Sequence, residues 1–457
     1  MRHVYGFGLF LLGVMPAMAG VPEERLAQAV KDSDHGAIQS LIAVHADVNA
    51  QLADKSTVLA WAVDRQDEVS VRLLLAAGAK TDIADIDGAV PITLACELGN
   101  PGIVDSLVMA GADAKAARPD GITALALCSE TSTPEALGSL LEHGANVNAA
   151  DGQGQTALMW ASVNGRSENI AFLLAHGAQV NAVTRGGFTP LFFALRSKVP
   201  QASLALLNAG ANAKAVLPDG TSVVAAALVE GNAPFAMTVV ARGADLTQHD
   251  EQGRQLIHVA AASGNAELVK LVLSKGADPN ALTTPPSAPA PRPVDAAGGG
   301  SAKGLARADG SAGPAGPAPV PTPPLIFAAK AGSPETMKAL LEAGAKPDLK
   351  AKDGLTLALA AAGSGNLDAV KYALTLDPDI DAIGPDGKSI MHYAVAIKQP
   401  DRAIPIIQFL AEKGAKLDVK DAQGNTPGDF INRGGQQDIR IFYVQLLKDH
   451  GIVGTNH

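Results

Sequence analysis

The residues of this chain best suited to chemistry are scattered, and their spacing decides what they can do. His143 and His176 each stand directly before a Gly-Ala pair, Gly144-Ala145 and Gly177-Ala178. Two imidazoles in register could begin a metal site, but the same spacing places no third ligand. A histidine closing a helix also meets the negative end of the helix dipole, and that capping role is the expected one. Cys96 and Cys128 keep nearly the same spacing as the two histidines, which puts them in almost equivalent places of consecutive segments. Neighbouring helix axes lie roughly 8–10 Å apart, whereas a disulfide wants Cα atoms within about 7 Å. Two separate thiols are therefore expected.

Other constellations are missing from the sequence. There is no Gly-x-Ser-x-Gly elbow, phosphate loop, His-Glu-x-x-His, Cys-x-x-Cys or haem-attachment run. Catalytic residues, metal ligands and cofactors are thus expected to be none, and the chain is not expected to be an enzyme. Lys350, Lys352, Lys388 and Lys420 alternate with Asp353, Asp386 and Asp421, which reads as a solvated face of mixed charge. A net charge of −10 argues against nonspecific binding of nucleic acid or of an anionic membrane, since either needs a basic surface.

What positions these residues is a repeat. Gly-Ala pairs recur at one constant step, at Gly78, Gly111, Gly144, Gly177, Gly210, Gly243 and Gly276, with His45 in the first slot. A second marker keeps the same phase at Gly88, Gly121, Gly154, Gly187, Gly220 and Gly253. Such a constant step is the signature of a solenoid, in which each unit buries its apolar face only against its neighbours. Residues 151–183 show one unit. A loop at Gly152–Gln155 leads to Thr156 as N-cap of a first helix, Gly165 ends that helix, Ser167 starts a second, and Leu173-Leu174 gives it an apolar face with Leu174 expected in the core. Second-helix starts at Pro101, Pro134, Ser167 and Pro200 keep the period.

Thr189-Pro190-Leu191, the run from Leu256 to Ala261, and the endings Gly144-Ala145-Asn146-Val147-Asn148 and Gly276-Ala277-Asp278-Pro279-Asn280 resemble ankyrin repeats. The resemblance implies an all-α solenoid, a stack of antiparallel helix pairs with protruding β-turn fingers, about twelve units long. Departures fall at Ser222-Val223-Val224, Gln255-Leu256-Ile257, Asp377-Pro378 and Lys198, the last where a helix-ending Gly belongs.

The ends and one insert complete the plan. Residues 1–19 have Arg2, an apolar stretch from Val4 to Val14 and Ala17-Met18-Ala19, the order of a signal peptide, so a mature chain starting at Gly20 is expected. No other apolar run is long enough to span a bilayer. Repeats fill 20–281 as an N-terminal cap and seven units, and 324–457 as four more ending in a polar cap. Between them, 282–323 is rich in Pro, Ala, Gly and Ser and reads as a disordered insert replacing one finger tip. The later steps from Asp377 to Gly414 and from Gly414 to Gly451 are longer than the rest, which suggests a longer inter-helix turn at Lys398–Ile404.

The resemblance also implies a binding role, through finger tips and the first-helix surface. The finger positions that differ most are Ile122, Gln153, Gln155, Arg185, Phe188, Glu251 and Arg254; Phe188, between Arg185 and Arg196, has the composition of an interface anchor. It could equally fold back on its own finger. Trp61, Trp160, Phe193, Phe327 and Tyr393 form one stripe along the first helices, expected to pack between units; His258 and His392, one residue before it, are expected to hydrogen-bond loops. The function expected is an exported scaffold or adaptor, periplasmic or secreted and monomeric, for a protein partner. The alternative is an inhibitor or immunity-type protein that occludes an exported enzyme or toxin.

Overall fold

The structure, a computed structural model, describes residues 21–284, 320–434 and 436–452. The signal-peptide reading of 1–19 and most of the insert lie outside the described residues.

Among the described residues, α-helices follow in pairs, two to each of twelve repeats. The first five pairs are α1 (Pro22–Lys31) and α2 (His35–Ala43), α3 (Val58–Asp64) and α4 (Glu68–Ala76), α5 (Pro91–Leu98) and α6 (Pro101–Met109), α7 (Ala124–Thr131) and α8 (Pro134–Glu142), α9 (Ala157–Val163) and α10 (Ser167–Ala175). Next come α11 (Pro190–Arg196) and α12 (Pro200–Asn208), α13 (Val223–Val229) and α14 (Ala233–Ala241), α15 (Leu256–Ala262) and α16 (Ala266–Ser274). After the insert stand α17 (Pro324–Lys330) and α18 (Pro334–Glu342), α19 (Leu357–Ala362) and α20 (Leu367–Leu376), α21 (Ile390–Val395) and α22 (Pro400–Glu412), α23 (Pro427–Gly434) and α24 (Gln437–Asp449). The described residues divide into two compact blocks, one drawn from Met1–Arg185 with Gln201–Ala209, the other from Gly186–Pro200 with Gly210–His457.

Within each block the apolar faces close on neighbouring repeats. In the Leu-Leu pairs at 74–75, 140–141, 173–174 and 340–341 the first residue is the core one: Leu74, Leu140, Leu173 and Leu340 are 0 % exposed, while Leu206 and Leu207 are both buried; Leu174 is half-buried. Hydroxyls of Thr57, Thr123, Ser222 and Thr356 cap first helices by accepting from the amide three residues on. Thr156 holds the N-cap backbone, yet its buried hydroxyl finds no hydrogen bond. Lys198 takes the left-handed conformation itself, at φ 58°, so the missing glycine leaves the turn unchanged. Asp377 adopts no left-handed turn; its carboxylate instead accepts from Ala358 N at 3.2 Å.

Two expectations are corrected here. The extra residues of the eleventh repeat do not lengthen a turn: α22 starts at Pro400 and runs 13 residues, against nine for α18. That difference is close to one helical turn, so the addition keeps the apolar face in phase. Cys96 and Cys128 are not separate thiols but a disulfide joining α5 to α7, with Cα atoms 4.3 Å apart. Each Cα sits about 2.3 Å off its helix axis. Axes roughly 8–10 Å apart therefore leave facing Cα atoms well inside disulfide reach.

Candidate protein-interaction surface

The fingers are built from the backbone outward. In three fingers a carboxylate at the base accepts from amides across the tip: Asp85 from Asp87 and Ala89, Asp151 from Gln153 and Gln155, and Asp250 from Gln252 and Arg254, all at 2.8–2.9 Å. Gly154 follows at φ 82°, where an added Cβ would meet Thr184 Cα at 3.2 Å, so adjacent fingers touch backbone to backbone.

That contact is a ladder. Ile86 N donates to Asp54 O at 3.1 Å and Arg185 N to Gln153 O at 2.9 Å in the first block. In the second, Glu251 N donates to Asp219 O, Thr284 N to Gly253 O, Lys352 N to Pro321 O and Ala422 N to Asp386 O, at 2.8–3.0 Å. A second series of rungs joins helix ends. Asn49, Asn148 and Asn280 each donate to a Gly carbonyl of the next repeat (Gly78, Gly177, Gly344) and accept from the amide two residues further. Neither series was legible as a site, but Asn four residues after His45, Gly144 and Gly276 was the signal of the second.

Side chains on this frame differ in what they are free to do. In the first block Gln153 and Arg185 are exposed and Ile122 and Gln155 half-buried. In the second, Glu251 is exposed and Phe188, Arg196 and Arg254 are half-buried. Arg254 is engaged by its own finger, with Nε 2.7 Å from Asp250 Oδ2 and a second guanidinium nitrogen also at 2.7 Å. The Phe188 ring lies against Phe192 and Phe193 of the following helix, centroids 6.4 and 6.0 Å away, so it folds back on its own repeat.

Of the aromatics expected to form a first-helix stripe, Trp61 and Trp160 of the first block are half-buried; in the second block Phe327 and Tyr393 are half-buried and Phe193 is buried. Lys31 lies 4.1 Å over the Trp61 ring. Burial pushes the Tyr393 phenol up to about 12. Phe430 belongs to the same stripe and was missed, although it stands four residues after Thr426 as Trp160 does after Thr156. Its ring meets His392 edge-on at 5.3 Å.

The histidines are structural. His143 and His176 place Nδ1 2.8 Å from the carbonyls of Ser139 and Phe172, closing α8 and α10. His258 Nδ1 accepts from Gln255 N and Nε2 donates to Ala281 O; His392 bridges Ser389 N and Asn425 O in the same manner. Among the described residues no group of three His, Cys, Asp or Glu is arranged to hold a metal ion. No described helix is long and apolar enough to cross a membrane.

Paired short helices, capped fingers and Asn rungs at a constant step are the ankyrin plan, and comparison with known proteins agrees. The family described as Ankyrin repeats (3 copies) matches residues 26–118, 93–184, 152–216, 191–283 and 325–421. The chain belongs to the ankyrin-repeat family. As an ankyrin-repeat protein it is a protein-interaction scaffold. It is similar to the E3 ubiquitin-protein ligase KEG of Arabidopsis thaliana, 32 % identical over 107 residues, 23 % of this chain and 6 % of that protein. It is also similar to the potassium channel AKT1 of Arabidopsis thaliana, 28 % identical over 95 residues, 21 % of this chain and 11 % of the channel. The chain thus spans only a small fraction of these relatives. The human ASB11 ankyrin repeat domain is a solved structure with a TM-score of 0.42 and 25 % identity, covering 46 % of this chain and 96 % of that one.

Proposed function

We propose that the protein is an exported scaffold or adaptor that holds a protein partner on its finger tips and first-helix face and catalyses no reaction. The supporting observation is the hydrogen-bonded finger ladder, which fixes the backbone of side chains as different as Gln153, Arg185 and Glu251 and leaves those three exposed. A surface ordered before binding avoids the entropy of ordering it later. The amino-terminal apolar stretch ahead of Gly20 supports export, and the net charge of −10 favours a protein partner over nucleic acid.

The test uses the mature protein as bait on the exported fraction, followed by direct binding measurements on the partner recovered. Gln153→Ala with Arg185→Glu in the first block, and Glu251→Lys in the second, are each expected to leave the melting temperature unchanged. At least one set should weaken binding roughly thirtyfold, the loss of about 2 kcal/mol that marks a hot spot. Phe188→Ala is expected to lower stability as well, since the ring packs on Phe192 and Phe193. Binding untouched by every variant, or turnover by the purified protein, would sink the proposal. Amino-terminal sequencing of the exported form should read from Gly20.

A further inference from the structure

The Cys96–Cys128 bond lies where the first helices of the third and fourth repeats meet, and both residues are 0 % exposed. The end of α7 is unusual around it. Thr131 Oγ1 donates to the Cys96 carbonyl. A Cβ at Gly99 would stand 2.8 Å from Thr131 O, so only glycine allows the approach. Ser132, where α3 has a left-handed Gln66 and α5 has Gly99, is extended at φ −100°.

The carbonyls that this ending leaves are taken by the fifth repeat. Asn169, 2 % exposed, donates through Nδ2 to Ser129 O at 3.0 Å and Ser132 O at 3.1 Å. Arg166 Nε donates to Glu130 O at 2.7 Å. The last turn of α7 is therefore held from one side by the disulfide and from the other by Asn169 and Arg166. In the slot of Cys96, α7 and α9 carry Ser129 and Ser162, whose hydroxyls donate to carbonyls of their own helices.

We propose that the Cys96–Cys128 bond is an oxidation-dependent lock: the first-helix face of repeats three to five takes this form only after an external disulfide donor oxidises the two thiols. One cysteine thiolate attacks a donor sulfur, forming a mixed disulfide and releasing a donor thiolate. The second cysteine thiolate then displaces the remaining donor sulfur. The protein loses two protons and two electrons, which reduce the donor disulfide to two thiol groups. Burial then hides both sulfurs, so a reductant reaches them only when α5 or α7 opens. In placing the donor in an oxidising compartment the inference rests on the export reading, but its test needs no partner.

Fully reduced, unfolded protein is refolded with oxidised glutathione or with dithiothreitol, then compared by thiol titration and hydrogen exchange. The oxidised form should show no free thiol when denatured without reductant. Its amides at Ser129–Ser132 should exchange at least about tenfold more slowly than in the reduced form. Cys96→Ser with Cys128→Ser should match the reduced form under both conditions, and repeats three to five that stay unfolded without the bond are the same result at its extreme. Asn169→Ala should speed exchange at the end of α7 while the bond still forms. Two free thiols after oxidative refolding would overturn the lock, as would equal exchange in oxidised, reduced and double-variant protein. A lock that forms in vitro on a chain whose cellular form still begins at Met1 would remove the export reading alone.

Discussion

His258 shows what the fold asks of one side chain. It is 0 % exposed, and its two ring nitrogens, accepting from Gln255 N and donating to Ala281 O, require the neutral ring with the proton on Nε2. Burial lowers its pKa to about 4, although its backbone hydrogen bonds act the other way. Burial also holds His392 below the ordinary value. As pH falls, the unfolded chain takes up the proton first, at the ordinary value near 6.5, and gains free energy that the folded chain does not. The contribution is thus complete above pH 6.5 and is lost between 6.5 and about 4. For a group this buried the loss is on the order of 3 kcal/mol. Urea unfolding at about pH 7.5 and about pH 4.5 should show a steeper loss in the parent than in His258→Gln, whose amide supplies one donor and one acceptor without titrating. Equal losses would mean that the ring is not held neutral. The loop-holding role was legible from position, but the burial that sets the pH response was not.

At the scale of helices, period and phase were legible because Gly and Pro mark turns and helix starts by backbone sterics, whatever packs around them. What a one-dimensional spacing leaves open is orientation. It gave the distance between α5 and α7 as an axis spacing, when the facing Cα atoms of Cys96 and Cys128 approach to 4.3 Å. It read the extra residues as a turn at Lys398–Ile404 because a longer step does not say which element takes the added length, yet the helix runs on from Pro400 with Pro405 on its exposed side. It also took Leu174 for a core position, whereas Leu173 is 0 % exposed and Leu174 only half-buried. Leu173→Ala should therefore cost about 2–5 kcal/mol in denaturant unfolding. Leu174→Ala should cost clearly less, and equal costs would mean that both side chains share the core. Phe188 was left between anchor and packing, because backbone markers say nothing of where a finger side chain turns.

For the whole chain the decisive question is how a repeat array tolerates the stretch between α16 and α17. The described ends answer it. Thr283 N donates to Thr322 O at 3.2 Å, the bond that Asp151 N makes to Gln155 O in an ordinary finger. Thr283 Oγ1 accepts from Thr322 N at 2.9 Å and donates to Val320 O at 3.0 Å, standing where Asp151 holds its own finger through a carboxylate. Beyond the finger the stack closes as elsewhere, with Asn280 reaching Gly344 and Lys346, and Ser333 Oγ donating to Gly264 O at 3.0 Å. The repeats on both sides are thus complete without residues 285–319. Replacing 284–321 with Gly-Gln-Gly, the tip found at 152–154, should leave the melting temperature no lower than the parent's. Loop closure costs about 0.6 kcal/mol per doubling of length, so the shorter tip could add up to about 2 kcal/mol. Calorimetry of the two proteins decides it. A fall of several degrees would show that the deleted residues contribute contacts to the array, and the tip would then have to be treated as part of the core it interrupts.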